Sequence, residues 1–265
     1  MRRKRKGFVV AAVVLVALTA CKPKSQTRNR LDEKHFPAIV LWAWERPEDL
    51  EFLDSSRFAV AFLAQTVILK GDEVVFSPRH QPLKVSRETK LIAVTRVESQ
   101  KTPGQPVALT PMQRERVLTL IVKTLELNRV LAIQVDFDAT VSEREFYRAL
   151  LLDLRAKLPD HVPLSITALA SFCVGDRWLS DLPVDEAVPM IFSMGADDKT
   201  IRNLLAGGED FREPLCQRSY GIALDERLEM KFPASRRVYV FNNHSWKASD
   251  LAKVNERISD VKIRP

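Results

Sequence analysis

The sequence predicts an α/β fold, namely a single closed (β/α)8-like barrel of the TIM type with a β-hairpin in place of the second helix. Eight short apolar segments alternate with amphipathic segments from residue 35 onward, which is the order of strands and helices in parallel α/β folds. About 230 residues carry this alternation, roughly the length that such a barrel needs. No glycine-rich phosphate loop follows a predicted strand. The alternative, an open doubly wound sheet, therefore lacks its usual nucleotide-binding signature.

Residues 1–20 are predicted to be a secretory signal peptide. Five basic residues at positions 2–6 precede an apolar stretch at 8–20, which is too short to span a bilayer comfortably. The stretch ends in Leu18-Thr19-Ala20-Cys21, which resembles the lipobox of bacterial lipoproteins. That resemblance implies cleavage before Cys21 and attachment of lipid to its sulfur. An uncleaved membrane anchor is the alternative.

Residues 21–34 are predicted to be a flexible tether, because the segment is polar and has no apolar periodicity. The whole chain has 41 basic and 34 acidic residues, a balance that would suit a nucleic-acid partner. Five of the positive charges lie in the signal peptide, however, and the domain at 35–265 carries 31 basic and 32 acidic residues. We therefore expect no nucleic-acid partner.

Eight segments rich in apolar and β-branched residues are the predicted strands. They lie at 38–45, 58–69, 90–98, 131–140, 163–173, 186–194, 219–226 and 236–245.

Amphipathic segments connect these strands. A short helix is predicted at 46–54, with Pro47 in its first turn, where proline is tolerated. The second strand instead runs into a turn at 70–73 and a further apolar run, which predicts a hairpin. Ser142, with Glu145 three residues later, predicts a capping box at the start of the helix after strand four. Further helices are predicted at 110–127, 199–207 and 247–258.

Polar residues follow several of the predicted strands, at the end of the barrel where active sites lie. Asp136 and Asp138 are two residues apart at the end of strand four and therefore share one face. Carboxylates exchange protons with glycosidic oxygens, and indoles stack on sugar faces. The pattern predicts a carbohydrate site. The predicted catalytic residues are Asp136, Asp138, Glu45, Asp225 and Glu226, and the predicted substrate-binding residues are Trp44, Asn242, Asn243 and Trp246.

Structural roles are the alternative for the same residues. Asp136 can be hydrogen-bonded inside the barrel, and Asp138 can cap the following loop. Trp42 and Trp178 are expected in the core, and His244 in a loop. The remaining histidines are scattered, without the spacing of a metal site or a hydrolase triad, so no metal or cofactor is predicted.

Five segments, "VDFDAT", "SITALASFC", "VDEAVPMIFSMG", "GIALDE" and "RRVYVFN", resemble a family of bacterial envelope lipoproteins of unknown function across residues 36–246. The resemblance implies a barrel and no particular activity. More distantly, the end of strand four is similar to the D-x-D-x-E motif of chitinase-type glycoside hydrolases, in which the glutamate donates the proton. Asp136 and Asp138 match the aspartates, but Thr140 occupies the position of the acid. That family's mechanism therefore does not transfer intact.

Two functions remain open. One is a glycoside-hydrolase-like enzyme acting on a polysaccharide or a peptidoglycan-type glycan. The other is a non-catalytic lipoprotein that binds a glycan or a protein.

In either case Cys21 would attach the protein to the membrane of the bacterial envelope. Lys22 follows the cysteine, which resembles the pattern sorted to the periplasmic face of the outer membrane.

Cys173 and Cys216 are a possible disulfide pair, because an exported domain meets an oxidising compartment. The bridge would close a loop of about 44 residues and stabilise by roughly 3 to 4 kcal/mol. The predicted strands place the two cysteines at opposite rims. The bridge therefore requires residues 207–216 to run back toward the mouth.

Replacing Cys21 tests the lipid anchor. In Cys21→Ser no thiol remains to accept the lipid, so we expect loss of fatty-acid labelling and release from the membrane fraction. Labelling and fractionation of cells that express either form measure this. A Cys21→Ser protein that still incorporates label would contradict the prediction.

Overall fold

A computed structural model describes residues 29–101 and 106–263. The predicted signal peptide, Cys21 and most of the predicted tether lie outside the described residues. Among the described residues, no helix is both long and apolar enough to cross a membrane.

Eight parallel strands form a closed barrel, as predicted. Strand β1 pairs with its chain neighbour β2 and also with β8, the last strand, and this second pairing closes the sheet. The open doubly wound alternative is thereby excluded. The strands are β1 (Ile39–Ala43), β2 (Phe58–Lys70), β3 (Leu91–Ser99), β4 (Val130–Asp136), β5 (Leu164–Leu169), β6 (Glu186–Met190), β7 (Ser219–Ala223) and β8 (Arg237–Phe241).

The predicted hairpin follows β2. The strand Glu73–Pro78 pairs antiparallel with the second half of β2, from Lys70 opposite Glu73 to Gln65 opposite Pro78. Gly71 turns the chain with φ of +54°, a conformation that glycine adopts without a steric penalty. The guanidinium of Arg79, just beyond the hairpin, donates to the carbonyl oxygens of Trp44 and Arg46, both at 2.5 Å. The hairpin thus fixes the loop after β1.

In the described part of the chain, six α-helices and two small strand pairs accompany the barrel. The helices are α1 (Arg30–Glu33), α2 (Pro111–Lys123), α3 (Arg144–Lys157), α4 (Ala170–Val174), α5 (Asp198–Ala206) and α6 (Asp250–Val261). The short parallel pairs join Glu48–Leu50 to Leu83–Val85 and Phe232–Pro233 to Lys262–Ile263.

Alternate side chains of each strand point into the barrel, and the others pack against the helices. Trp42 fills much of the interior and is 3% exposed. Its indole N–H donates to Oε1 of Gln134 at 2.8 Å, and its ring lies over Tyr239 with centroids 5.1 Å apart. A Cβ on Gly221 would lie 2.7 Å from the Trp42 ring. The indole therefore requires glycine at that position of β7.

The amino-terminal end of the barrel is closed by the first described residues. Leu31 of α1 and the following Phe36 belong to the interior apolar cluster. Asp32 accepts a hydrogen bond at 2.9 Å from Arg237, the first residue of β8, and Arg237 also pairs with the buried Glu186 at 3.0 Å. The chain therefore enters the barrel at the end opposite the carboxyl ends of the strands.

The prediction of a helix at 46–54 is wrong, because this segment contains the strand Glu48–Leu50. Glu48 and Leu50 are buried and Asp49 is exposed, which is the two-residue period of a strand. The Glu48 carboxylate accepts a hydrogen bond from the backbone N–H of Trp246 at 2.9 Å. This long-range contact outweighs the local helical pattern.

Further boundaries also differ from the prediction: the strands predicted at 131–140, 186–194, 219–226 and 236–245 end earlier, at Asp136, Met190, Ala223 and Phe241. The capping box joins Thr140 and Glu143 rather than Ser142 and Glu145, and a 3-10 turn at Val141–Glu143 leads into α3. The fifth strand ends at Leu169, and the chain continues as α4. The Ser171 carbonyl accepts a hydrogen bond from the backbone N–H of Gly175, so this segment closes a helical turn instead of extending the strand.

The structure joins Cys173 and Cys216 in a disulfide, with 5.9 Å between their Cα atoms. Cys173 lies in α4, and Cys216 lies in the turn before β7. The backbone N–H of Arg212 donates to the Cys173 carbonyl at 2.9 Å. The segment before Cys216 therefore runs back to α4, as the bridge requires.

Removing the bridge is expected to destabilise the barrel. The double variant Cys173→Ala/Cys216→Ala frees a loop of about 44 residues, so the free energy of unfolding should fall by roughly 3 to 4 kcal/mol. Urea unfolding without reductant measures the loss, and thiol titration of the unfolded wild-type protein provides the control. Two titratable thiols in the exported wild-type domain would contradict the bridge.

Candidate active site

The candidate site lies where β3 and β4 end side by side. Arg96 and Asp136 are neighbours in the register of these strands, and both belong to the set of alternating positions that point into the barrel. A cavity of about 300 Å³ lies above them. Its wall includes Glu98, Asp138 and Glu143 as well as Arg96 and Asp136. The mouth of the barrel is therefore lined by charged side chains.

Asp136 lies at the floor of this cavity and is 7% exposed. The hydroxyl of Thr167, on the neighbouring β5, donates to Oδ1 of Asp136 at 2.6 Å. Burial raises the pKa of Asp136 to about 6, and the negative charges of Asp138 and Glu98 add to this rise, whereas Thr167 and Arg96 oppose it. Asp136 therefore exchanges its proton close to neutral pH.

Asp138 is exposed at the rim. It lines both the first cavity and a second one of about 220 Å³, whose other walls include Leu169, Met190 and Phe192. Partial withdrawal from solvent raises the pKa of the Asp138 carboxyl, and Arg96 opposes the rise. Asp138 thus separates a charged cavity from a largely apolar one.

Aromatic side chains form a further part of the mouth. The guanidinium of Arg96 lies 5.9 Å from the centre of the Trp44 ring, and its Nε pairs with Glu98 at 2.6 Å. Trp44 contacts Phe241 edge-on, with ring centroids 6.4 Å apart. Phe241 in turn stacks on Phe192 at 5.4 Å. These rings are a surface on which the apolar face of a sugar can pack.

Thr140, two residues after Asp138, belongs to the capping box. Its hydroxyl and its backbone N–H both donate to Oε2 of Glu143 at 2.7 Å. Burial favours a raised pKa for Glu143, but the hydrogen bonds from Thr140 and the charge of Lys101 outweigh it and lower the pKa. Glu143 is therefore an ionised carboxylate in the cavity wall.

The other predicted catalytic residues do not line the two cavities around Asp138. Glu45 is exposed after β1. Asp225 accepts a hydrogen bond from the amide of Asn243 at 2.8 Å. Glu226 pairs with Arg202 at 2.7 Å. Asp225, Asn243 and Glu226 therefore have partners within the loops of the rim.

Two of the predicted substrate-binding residues are buried. Trp246 is 4% exposed, and its indole N–H donates to the Trp42 carbonyl at 2.9 Å. Asn242 is also buried, and its amide contacts Asp250 and His244 at 3.3 Å. These two side chains hold the loop after β8 in place, whereas Trp44 and Asn243 remain accessible.

The sequence interpretation missed Arg96, Glu98, Thr167 and Glu143. Arg96 and Glu98 were detectable, because they continue the alternation of Ile92 and Val94 along β3 and are therefore inward-facing polar residues at a strand end. Thr167 follows the same alternation on β5. Glu143 has a different signal, the capping-box spacing from Thr140, but only the turn after β4 brings it to the cavity.

Within residues 29–101 and 106–263, no group of three or more His, Cys, Asp or Glu side chains could hold a metal ion. No protein-family model matches this chain, and no curated protein matches it either.

Neutralising Asp136 is expected to stabilise the protein above pH 6. The pKa of this carboxyl is about 6 in the folded state against an ordinary 3.8. The folded protein therefore holds a proton that the unfolded chain has released, and stability falls as the pH rises from about 4 to about 6, by roughly 3 kcal/mol in all. In Asp136→Asn this loss should disappear, and the amide oxygen can still accept the Thr167 hydrogen bond.

Calorimetry at about pH 4 and about pH 8 measures the effect. We expect Asp136→Asn to melt several degrees above wild type at the higher pH and within about 2 °C of it at the lower pH. A lower melting temperature at about pH 8 would show instead that the ionised carboxylate holds the fold together.

Proposed function

We propose that this protein is an envelope lipoprotein that binds a glycan in the mouth of its barrel and hydrolyses a glycosidic bond there. The observation that carries the proposal is the pair Asp136 and Asp138. The two carboxyls lie in the wall of one cavity, one buried at its floor and one exposed at its rim. Glycoside hydrolysis commonly requires two carboxyl groups with different protonation states.

The different environments assign a role to each group. Asp136, with a pKa of about 6, holds the proton and gives it to the glycosidic oxygen as the bond to the anomeric carbon breaks. Asp138, exposed at the rim, acts as the base and accepts a proton from the water whose oxygen attacks that carbon. The proton lost by Asp136 thus leaves on the alcohol product. Asp138 then releases its proton to solvent, and Asp136 takes a proton from solvent, so both carboxyls return to their starting protonation states.

The surroundings of the pair suit a sugar ligand. Trp44, Phe192 and Phe241 offer aromatic surface beside the carboxylates, and Arg96 offers a hydrogen-bond donor at the same wall. The chain enters the barrel at the end opposite the mouth. A lipid on Cys21 would therefore leave the mouth clear of the membrane, open to glycans of the periplasm.

A non-catalytic glycan-binding protein is the second candidate. Thr140 favours this candidate. It stands where the chitinase-type hydrolases that this segment resembles carry their acid, and its hydroxyl donates a hydrogen bond to Glu143. In that case the aromatic surface and Asp138 bind a sugar, and no bond is broken. Product analysis separates the two candidates, because only hydrolysis generates new reducing ends.

The variant Asp138→Asn tests the proposal on a panel of defined neutral and charged oligosaccharides. Loss of a general acid or base costs about 10²-fold or more in rate, so we expect at least that fall in the release of reducing ends. Asp138 is exposed and accepts no hydrogen bond among the described residues, so the melting temperature should change by less than about 4 °C.

Asp153→Asn is the matched control, because Asp153 lies on α3 and pairs with Arg114, away from the mouth. A fall of more than about 8 °C in Asp138→Asn would exceed roughly 2 kcal/mol and indicate a structural role. Binding without release of reducing ends by the wild-type protein would favour the second candidate. If the wild-type protein neither binds nor cleaves any oligosaccharide of the panel, both candidate functions are contradicted.

A further inference from the structure

The pairing of β4 and β5 places a threonine hydroxyl against Asp136. Val135 and Ile166 are neighbours in the register of these strands, so the next residues along, Asp136 and Thr167, also lie side by side and face the interior of the barrel. Both side chains are buried, and Oγ1 of Thr167 lies 2.6 Å from Oδ1 of Asp136. Two paired strands, rather than a loop, therefore fix this contact.

The hydroxyl proton of Thr167 has one destination. A threonine hydroxyl donates a single proton, and within residues 29–101 and 106–263 Oδ1 of Asp136 is the only acceptor of that proton. Because Oδ1 already accepts from Thr167, the proton of a protonated Asp136 carboxyl belongs on Oδ2. Asp136 also lines the cavity of about 300 Å³. Oδ2 is thus the oxygen left to meet a ligand in that cavity.

We propose that Thr167 is a positioning residue for hydrolysis at this mouth, whose hydroxyl holds the Asp136 carboxyl by Oδ1 and thereby keeps the transferable proton on Oδ2. This inference rests on the proposed function and adds a residue to it. Thr167 acts through Asp136 and touches no substrate. Without the hydroxyl, either carboxyl oxygen would carry the proton, and the carboxyl would lose the contact that fixes its rotation. Misplaced reacting groups slow a reaction even when binding is intact.

The same hydrogen bond acts on the carboxylate that remains after proton transfer. When Oδ2 has given its proton to the glycosidic oxygen, Oδ1 still accepts from Thr167, and a hydrogen bond to an ionised group is stronger than one to a neutral group. The hydroxyl therefore lowers the pKa of Asp136, against the effect of burial. The other titratable groups that act on this carboxyl or lie against it are Asp138, Arg96, Glu98 and Tyr147.

The pH dependence of cleavage tests the inference. The full-length protein, purified in detergent, is compared with Thr167→Val and Thr167→Ala on the panel oligosaccharide that the wild-type protein cleaves fastest. The limb on which kcat/KM falls with rising pH reports the pKa of the acid in the free protein, about 6 for wild-type Asp136. Both variants lose a hydrogen bond to the carboxylate, so this limb should move up by about one pH unit or more.

The same variants should lose kcat rather than substrate binding. We expect kcat to fall about tenfold and KM to change less than about threefold, because the misplaced proton matters in the transition state. Carbon-13 NMR of aspartate-labelled protein, with Asp136→Asn to assign the signal, should show the same upward shift of the Asp136 pKa without any substrate.

Two further variants are matched controls. Thr167→Ser keeps the hydroxyl and should leave the limb within about 0.3 pH units of wild type. Ser165→Ala removes another buried hydroxyl of β5, which accepts from the amide of Gln134 at 3.2 Å and does not line the cavity. This variant should leave the limb in place, whatever its melting temperature.

An unmoved limb in Thr167→Val and Thr167→Ala would overturn the inference, and a lower melting temperature beside it would leave Thr167 a structural role only. A serine variant that behaves like the valine variant would overturn it as well. Either result leaves the proposed hydrolysis standing, because the wild-type protein still cleaves. If the wild-type protein cleaves no oligosaccharide of the panel, the proposed hydrolysis fails, and this role of Thr167 fails with it.

Discussion

The packing of Trp42 inside the barrel is the contact on which the rest of the structure depends. Its indole N–H donates to Gln134, its ring occupies the space beside Gly221, and its carbonyl accepts the indole N–H of Trp246. One residue therefore links β1 to β4, β7 and the loop after β8. Since β1 also pairs with both β2 and β8, Trp42 both fills the interior and holds in place the strand that closes the barrel.

The buried carboxyl at the mouth above this core carries an electrostatic cost. Burying Asp136 beside Asp138 and Glu98 raises its pKa and costs free energy at neutral pH. The Thr167 hydroxyl and Arg96 recover only part of that cost. Strain of this kind is common at functional sites, where a group must exchange protons near neutral pH. The same burial thus costs stability at neutral pH and brings the pKa of Asp136 to about 6.

The period of the apolar residues was enough to predict the eight strands, the hairpin and the acidic end of β4. Long-range contacts explain the errors. Glu48 takes part in a strand because Trp246, almost two hundred residues later, donates to its carboxylate. Trp246 itself looked accessible after β8, but its indole binds Trp42. The spacing of Thr140 and Glu143 is that of a capping box, but the local pattern does not reveal that the turn after β4 brings Glu143 to the cavity. Strand ends and loop burial depend on partners distant in sequence.

The closely filled interior also determines the depth of the mouth. Because Trp42 and its neighbours occupy the barrel axis, there is no passage through the molecule for a polymer to thread. The spaces beside Asp138 lie on two sides of one carboxylate rather than at the bottom of a shaft. Under the proposed function, a long glycan would lie across this opening with an internal linkage at Asp138 and its two ends past the rim. Such a mouth would suit attack within a chain rather than removal of units from its end.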